Sequence, residues 1–404
     1  MFVVAGLGAL GMTGLTAATQ APASLTVHEW GTFTSIAGPD GQAIQWLPLG
    51  GPTDLPCFVE TYQNRMLKVL MAPDSGALLD YEQARAGLKG TVRMETPVLY
   101  FYADRPTTAK VSVRFPQGLF TEFYPAAQVQ QVPSYANILK SPQSGTATIS
   151  WPSVSILPGT SPRFPTEQSG SHYYAARDTD AAPIRVNGQD EKFLFYRGVA
   201  GFSVPLSTAL QPNGSILVKN LSQHTLPGVI VLTKEGDSFS YRVHGEITGG
   251  SEAMVDRPST AGSLPALMLE LEHALVRQGL YQREAKAMVE TWRDDWFNDG
   301  TRVFYFVPAP DIDAILPLQV HPAPASTVRV FVGRMEVITP ANEAAVARAL
   351  TQNDLKMLEV YGRLLGPIGE RVVAKTIEPQ MKAALLARLD AIFKAYLTRV
   401  TACE

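Results

Sequence analysis

From Leu25 to about Gly250 the chain alternates short runs of β-branched and aromatic residues with Pro, Gly, Asn and Ser. That punctuation predicts strands joined by turns. Val111, Val113 and Phe115 alternate with Lys110, Ser112 and Arg114, so one side of the run 109–115 enters a core while the other meets water. The same reading predicts strands over 98–102, 119–124, 147–151, 184–186, 192–196, 215–219, 228–233 and 238–243, with Asn187-Gly188 as a tight turn. Repeated short strands of this kind predict an antiparallel, sandwich-like architecture.

After Gly250 the apolar period becomes helical. Leu264, Leu267, Met268, Leu271 and Leu275 form one stripe, stopped by Gly279. Glu270 and His273 fall on its solvated side. Ala285, Met288, Val289, Trp292 and Trp296 share a face of a second helix, stopped by Asn298-Asp299-Gly300. Extended structure returns over 302–307 and 328–338, and helices are predicted over 344–350, 355–365 and 381–400. The expected fold class is α+β: a β-rich antiparallel portion over 24–250, and an α+β portion with a helical C-terminus over 251–404 packed on it. Gly249-Gly250-Ser251 marks the joint.

The N-terminal run from Phe2 to Ala18 is apolar apart from Gly and Thr, and Ala21 and Ala23 supply small side chains for cleavage after residue 23. Residues 1–23 therefore read as a signal peptide, although no Lys or Arg precedes the apolar run. The mature chain is expected to be secreted or periplasmic, with no transmembrane anchor. The uncharged stretch Ser141 to Pro162 is long enough to span, but its four prolines and many hydroxyls read as strands and turns. In an oxidising compartment Cys57 and Cys403 either close one very long loop or remain two thiols; spacing does not decide between them.

Composition narrows the function. Across 404 residues, 46% are hydrophobic and 18% charged, a balance that builds a core and excludes wholesale disorder. A net charge of -3 gives no footprint for a polyanion, which excludes a nucleic-acid partner.

Candidate chemistry begins with the segment His28-Glu29-Trp30-Gly31-Thr32-Phe33-Thr34, which brings together an imidazole, a carboxylate and an indole. On a strand, His28 and Trp30 face one way and Glu29 and Gly31 the other. The residues serve equally as a ligand-binding cluster or as a first strand with a buried Trp and a hydrogen-bonded His. Glu95, before Thr96-Pro97, is a candidate acid, base or metal ligand, or a partner of Arg93. The densest polar stretch holds His172, Tyr173, Tyr174, Arg177, Asp178 and Asp180, followed by Arg185, Asp190, Glu191 and Arg197. Asp178 and Asp180 suit a hard cation. Arg177 or Arg197 suits a carboxylate, whether of a substrate or of those aspartates. His244 and Glu246 share one side of an extended chain. No nucleophile elbow, Walker sequence or dinucleotide fingerprint occurs.

Together with the opening segment, the blocks METPVLYFY (94–102), HYYAARDTDAAP (172–183), EKFLFYRG (191–198), TWRDDWFNDGTRVFYFVP (291–308) and RVFVGRMEVITP (329–340) span most of the mature chain. On these the chain resembles a group of exported bacterial proteins that open with HEWGTFT. The resemblance implies export and a similar architecture; it implies no activity and no site residue.

Three functions follow in order. The first is a binding or interaction protein that presents Trp30, Tyr173 and Tyr174 to a glycan or protein ligand. The second is a hydrolase using Glu95 with Asp178 or Asp180, which for glycoside hydrolysis requires the two carboxyl groups roughly 5–9.5 Å apart. The third is a metal centre built from His28, His172 and His244. The sequence names no cofactor, metal or oligomeric state.

Overall fold

The computed structural model describes residues 24–49, 55–62, 88–132, 145–167, 170–256, 258 and 262–400. The signal peptide predicted over residues 1–23 lies outside them. Eighteen strands occur among the described residues. The first group is β1 (Leu25–Ile36), β2 (Glu60–Thr61), β3 (Val92–Ala103), β4 (Thr107–Pro116), β5 (Gly118–Tyr124), β6 (Gln128–Val132) and β7 (Thr146–Ile156). After a 3₁₀ turn at His172–Arg177 come β8 (Ile184–Val186), β9 (Gln189–Glu191), β10 (Leu194–Ala200), β11 (Leu206–Leu210), β12 (Ile216–Asn220), β13 (Val229–Glu235), β14 (Ser238–His244) and β15 (Glu252–Val255). Two helices follow, α1 (Leu264–Arg277) and α2 (Gln282–Trp296), then β16 (Gly300–Phe306), α3 (Ala309–Ile315), β17 (Leu318–His321) and β18 (Ser326–Val337). The end of the chain is helical: α4 (Pro340–Gln352), α5 (Leu355–Glu359), α6 (Leu365–Lys375) and α7 (Pro379–Val400).

A nine-stranded sheet, ordered β14-β13-β16-β18-β1-β3-β10-β5-β2, carries the architecture. Only β1 and β18 pair in parallel within it; its other pairs are antiparallel. One face packs on a six-stranded sheet (β17-β4-β7-β8-β9, with β6 on β7) and a three-stranded one (β11-β12-β15), around Phe33, Phe115, Trp151, Tyr196 and Phe331. The other face lies under α1 and α2, around Trp30, Tyr100, Leu271, Trp292, Trp296 and Phe304. The layers are therefore sheet, sheet and helix, which gives the expected α+β class. A third cluster, including Val346, Leu350, Leu365 and Leu389, holds the C-terminal helices together.

Strands with one wet face alternate in burial, as β4 does, whereas β1 is buried along nearly its whole length on both sides. Asn187 and Gly188 form the predicted turn, both at positive φ, between β8 and β9. The stripe Leu267, Leu271 and Leu275 is fully buried, with His273 exposed. Gly279, at φ +109, ends α1: its N–H donates to Val276 O at 2.9 Å and that of Leu280 to Leu275 O at 3.3 Å.

Residues before and after 250 share the nine-stranded sheet, because β16 and β18 lie between β13 and β1. The single helix predicted over 355–365 is broken in the structure into α5 and a 3₁₀ turn at Gly362–Leu364, and a helix the sequence pattern does not predict follows through Gly366, Pro367 and Gly369. In the structure these residues form α6. Pro367 sits in the first turn, where its ring is tolerated, and a Cβ on Gly369 would lie 2.8 Å from Leu389 Cδ1, so the glycine sets how closely α6 and α7 approach.

Arg302 is fully buried at the C-terminal end of α2. Its Nη1 donates to Trp296 O at 2.6 Å and Asn298 O at 2.7 Å, and its Nη2 to Asp299 O at 3.0 Å, satisfying carbonyls that the helix leaves open. Its Nε lies 3.0 Å from Glu336 Oε1, which also accepts from Arg334 Nε at 2.5 Å. Burial pushes the Arg302 guanidinium down to about 10, with Glu336 opposing. Burial alone would raise the Glu336 carboxyl, but Arg302 and Arg334 outweigh it and hold the group below the ordinary glutamate range.

Two outcomes are expected in denaturant unfolding. Leu271→Ala costs about 2–5 kcal/mol through lost burial and cavity formation, while His273→Ala leaves the midpoint nearly unchanged. For Glu336, a depressed folded pKa means stability present above the unfolded carboxylate range and lost as pH falls through the folded value. The stability gap between wild type and Glu336→Gln is therefore widest at neutral pH and closes on acidification.

Candidate ligand-binding cavity

The site forms where the end of β3 meets the N-terminus of α2. On β3, Tyr100 and Tyr102 project toward the helices, and on β1 so does His28. Tyr281 is the N-cap residue of α2, and Glu284 supplies the return half of a capping box, its Oε2 accepting from the Tyr281 N–H at 2.8 Å. Glu284 is fully buried and serves two strands besides its own helix. His28 Nδ1 lies 2.7 Å from Oε2, and the Tyr102 hydroxyl donates to Oε1 at 2.8 Å. The rings of His28, Tyr102 and Tyr281 pack around this carboxylate with centroids 4.4–5.4 Å apart. Burial, then the Glu284 charge, raises the Tyr102 pKa far above its ordinary value, so the phenol stays a donor.

The second wall is the polar stretch 172–183. Ser171 Oγ accepts from Tyr173 N at 3.2 Å and starts the 3₁₀ turn. Arg177 then forks onto the fully buried Glu191, with Nε at 2.9 Å and Nη2 at 2.6 Å. Glu191 also accepts from the Tyr173 hydroxyl at 3.1 Å and from Lys192 N at 2.7 Å. Burial nevertheless leaves its carboxyl above the ordinary range, against the pull of Arg177. Phe58, Phe164, Tyr173 and Tyr174 surround the Arg177 guanidinium with ring centroids 5.0–5.8 Å away. The stretch is moored to β3 by Tyr100 Oη to Ala176 O at 2.6 Å and Ala182 N to Phe101 O at 2.8 Å.

Between these walls opens a cavity of about 550 Å³, lined by Tyr102, Thr160, Arg177, Asp180, Lys192 and Arg283 among others. Arg283, in the first turn of α2, pairs with Asp180 at 2.5 Å and with Asp178. Burial, then Arg283, holds the Lys192 ammonium below its ordinary pKa.

His28 and Trp30 share the helix side of β1 and Glu29 lies on the other, the alternation an extended strand imposes. Glu29 is fully buried between the two sheets, accepting from the Tyr196 hydroxyl and from Arg329 Nε at 2.6 Å. Trp30 has no exposed surface and Tyr173 almost none, while Tyr174 packs on Arg177. The binding face expected from Trp30, Tyr173 and Tyr174 is therefore not presented: two of its rings are core and the third holds an arginine.

Glu95 lies 3.7 Å from Arg93 Nε on β3, beyond a bulge where Thr96 takes φ +46. Arg197 Nη2 reaches Thr96 Oγ1 at 3.2 Å. Glu95 is six residues along β3 from Phe101, to which Ala182 bonds, so it stands roughly 20 Å from the Asp180 end of the strand. Asp178 and Asp180 are therefore not brought to Glu95, and the expected carboxylate pair is not assembled. His172 Nε2 pairs with Asp294 at 3.1 Å, and His244 ends the edge strand β14. His28, His172 and His244 are on separate elements, and among the described residues no three His, Cys, Asp or Glu side chains gather as metal ligands. Cys57 is disulfide-bonded; Cys403 lies outside the described residues.

Sequence reasoning missed Tyr102, Lys192, Tyr281, Arg283 and Glu284 as site residues. The spacing Tyr281-x-x-Glu284 is a capping-box spacing, but with Tyr at the cap it lacks the usual hydroxyl signal.

No family model matches the chain, and no curated protein matches it. Among solved structures it is similar to the yeast delta-COP-I mu-homology domain complexed with a Dsl1 WxWxV peptide, at 9% identity and a TM-score of 0.27, covering 78% of this chain and 98% of that one. It is also similar to the Fcho1 mu-homology domain of Danio rerio with a bound Eps15 peptide, at 7% identity and a TM-score of 0.28, covering 79% and 97%. Likenesses this distant carry no argument about function.

Glu284→Ala strands three donors at once and is expected to cost about 3–5 kcal/mol in denaturant unfolding. Arg185→Ala, which breaks only the exposed pair with Asp190, leaves the midpoint unchanged.

Proposed function

We propose that the chain is an exported binding protein whose ligand, a small polar molecule or the end of a peptide or glycan, enters the cavity beside Tyr102. The observation that carries this reading is the cavity itself: about 550 Å³, the size of a small-molecule site, with polar groups held in place by buried partners. Arg177 is fixed by Glu191, Tyr102 by Glu284, and Arg283 by its two aspartates. A wall arranged in advance loses little freedom on binding. The disulfide at Cys57 supports maturation in an oxidising compartment, as does the apolar leader.

Thr160 stands exposed on the cavity rim. Thr160→Trp is expected to fill the opening and abolish the signal on glycan and peptide arrays without lowering the melting temperature. An array signal that survives the substitution rejects the cavity as the site. N-terminal sequencing of the mature protein is expected to begin at Ser24; recovery of intact Met1 rejects export.

A further inference from the structure

The charges around the cavity do not cancel in pairs. Arg177 and Glu191 form a closed, bidentate pair. Arg283 faces two aspartates, so the group Arg283, Asp178 and Asp180 keeps one net negative charge, about two-thirds exposed on each carboxylate. Lys192 keeps one net positive charge: among the described residues its ammonium makes no hydrogen bond or ion pair, only its backbone N–H being bonded, to Glu191. Both Lys192 and Asp180 line the same cavity; Asp180 acts on the Lys192 ammonium through space, but no ion pair joins the two among the described residues. A cation without a direct ion pair and a carboxylate pair that shares one guanidinium thus face a common space large enough for a small molecule.

We propose that the cavity binds a zwitterion carrying one carboxylate and one ammonium, a free amino acid or a very short peptide, with the carboxylate on Lys192 and the ammonium on Asp180. The assignment rests on the cavity being the ligand site. A bound carboxylate supplies the direct ion pair that the Lys192 ammonium does not make among the described residues. Burial, then Arg283, lowers the Lys192 pKa, and the nearby carboxylates of Asp180, Asp178 and Glu191 oppose the shift without cancelling it, so a carboxylate bound directly to the ammonium would stabilise its charge. On the far side, Asp178 and Asp180 divide a single guanidinium, which leaves acceptor capacity for an ammonium. The Tyr102 hydroxyl, anchored on Glu284, forms an uncharged wall. Neutral sugars find neither charge matched, and a simple anion satisfies only Lys192.

Isothermal titration with alanine, dialanine and trialanine tests the assignment and varies the distance between the two ligand charges. One member of the series is expected to bind best. Its affinity is expected to fall at least about tenfold in Lys192→Met and again in Asp180→Asn, as loss of a charge-assisted contact requires. N-acetylation of that ligand removes the effect of Asp180→Asn, and amidation removes the effect of Lys192→Met. A merely structural role for either residue does not produce that crossed pattern. Lys192→Met breaks no ion pair among the described residues and keeps the backbone bond to Glu191, so its unfolding midpoint is expected to match the wild type. The proposal is overturned if no member binds, or if the acetylated and amidated forms bind as well as the parent. It is equally overturned if neither substitution weakens binding. If a neutral ligand binds and Thr160→Trp blocks it, the cavity remains the ligand site and only the charge assignment falls. If binding survives Thr160→Trp, both readings fall.

Discussion

A central strand with no solvent face must find an internal partner for each ionisable side chain it carries, since an unpaired buried charge costs far more than an unpaired hydroxyl. β1 is such a strand, lying between β18 and β3 with a sheet on one side and helices on the other. His28 and Glu29, adjacent in sequence, are sent into different layers and solve the problem separately. His28 meets Glu284 from α2; Glu29 meets Arg329 from β18 and Tyr196 from β10. These contacts join β1 to three other elements. Much of what the opening segment does is thus to knit layers together.

Helix α2 is held from both ends by the same logic. Its first turn is pinned by the Glu284 carboxylate and its last carbonyls by the buried Arg302. A helix clamped this way presents Arg283 to the cavity in a fixed position, and the loop bearing Asp178 and Asp180 closes on it. The site is consequently a by-product of how the helix layer is fastened to the sheet, with Tyr102 belonging to both.

Where one face of an element is wet, the sequence declared it. The alternation in β4, the leucine stripe of α1 and the turn at Asn187-Gly188 all appear where the pattern predicts. Legibility failed where that contrast vanished or was interrupted. β1 reads as a continuous buried run, β11 and β15 are short strands with mixed faces, and α6 is disguised by two glycines and a proline. For the candidate site, the stretch 172–183 that the sequence singles out does border the cavity, but its aromatics, expected to meet a ligand, enclose Arg177. Glu284 and Lys192 gave no signal, because the role of one depends on a histidine 256 positions away and that of the other on the cavity it lines, neither of which is local in sequence.

The lone parallel pairing in the large sheet joins Thr26 to Ser326 and Ile36 to Glu336, segments three hundred residues apart. Bringing such distant strands together is an entropic toll levied before any reward, so the sheet's midline is completed only once nearly all of the polypeptide is present. Until then the inner edge of β1 is an open hydrogen-bonding template, inviting mispairing with another molecule. A chain built on this plan gains from being kept extended and escorted while it is made, and has little capacity to survive as a stable fragment.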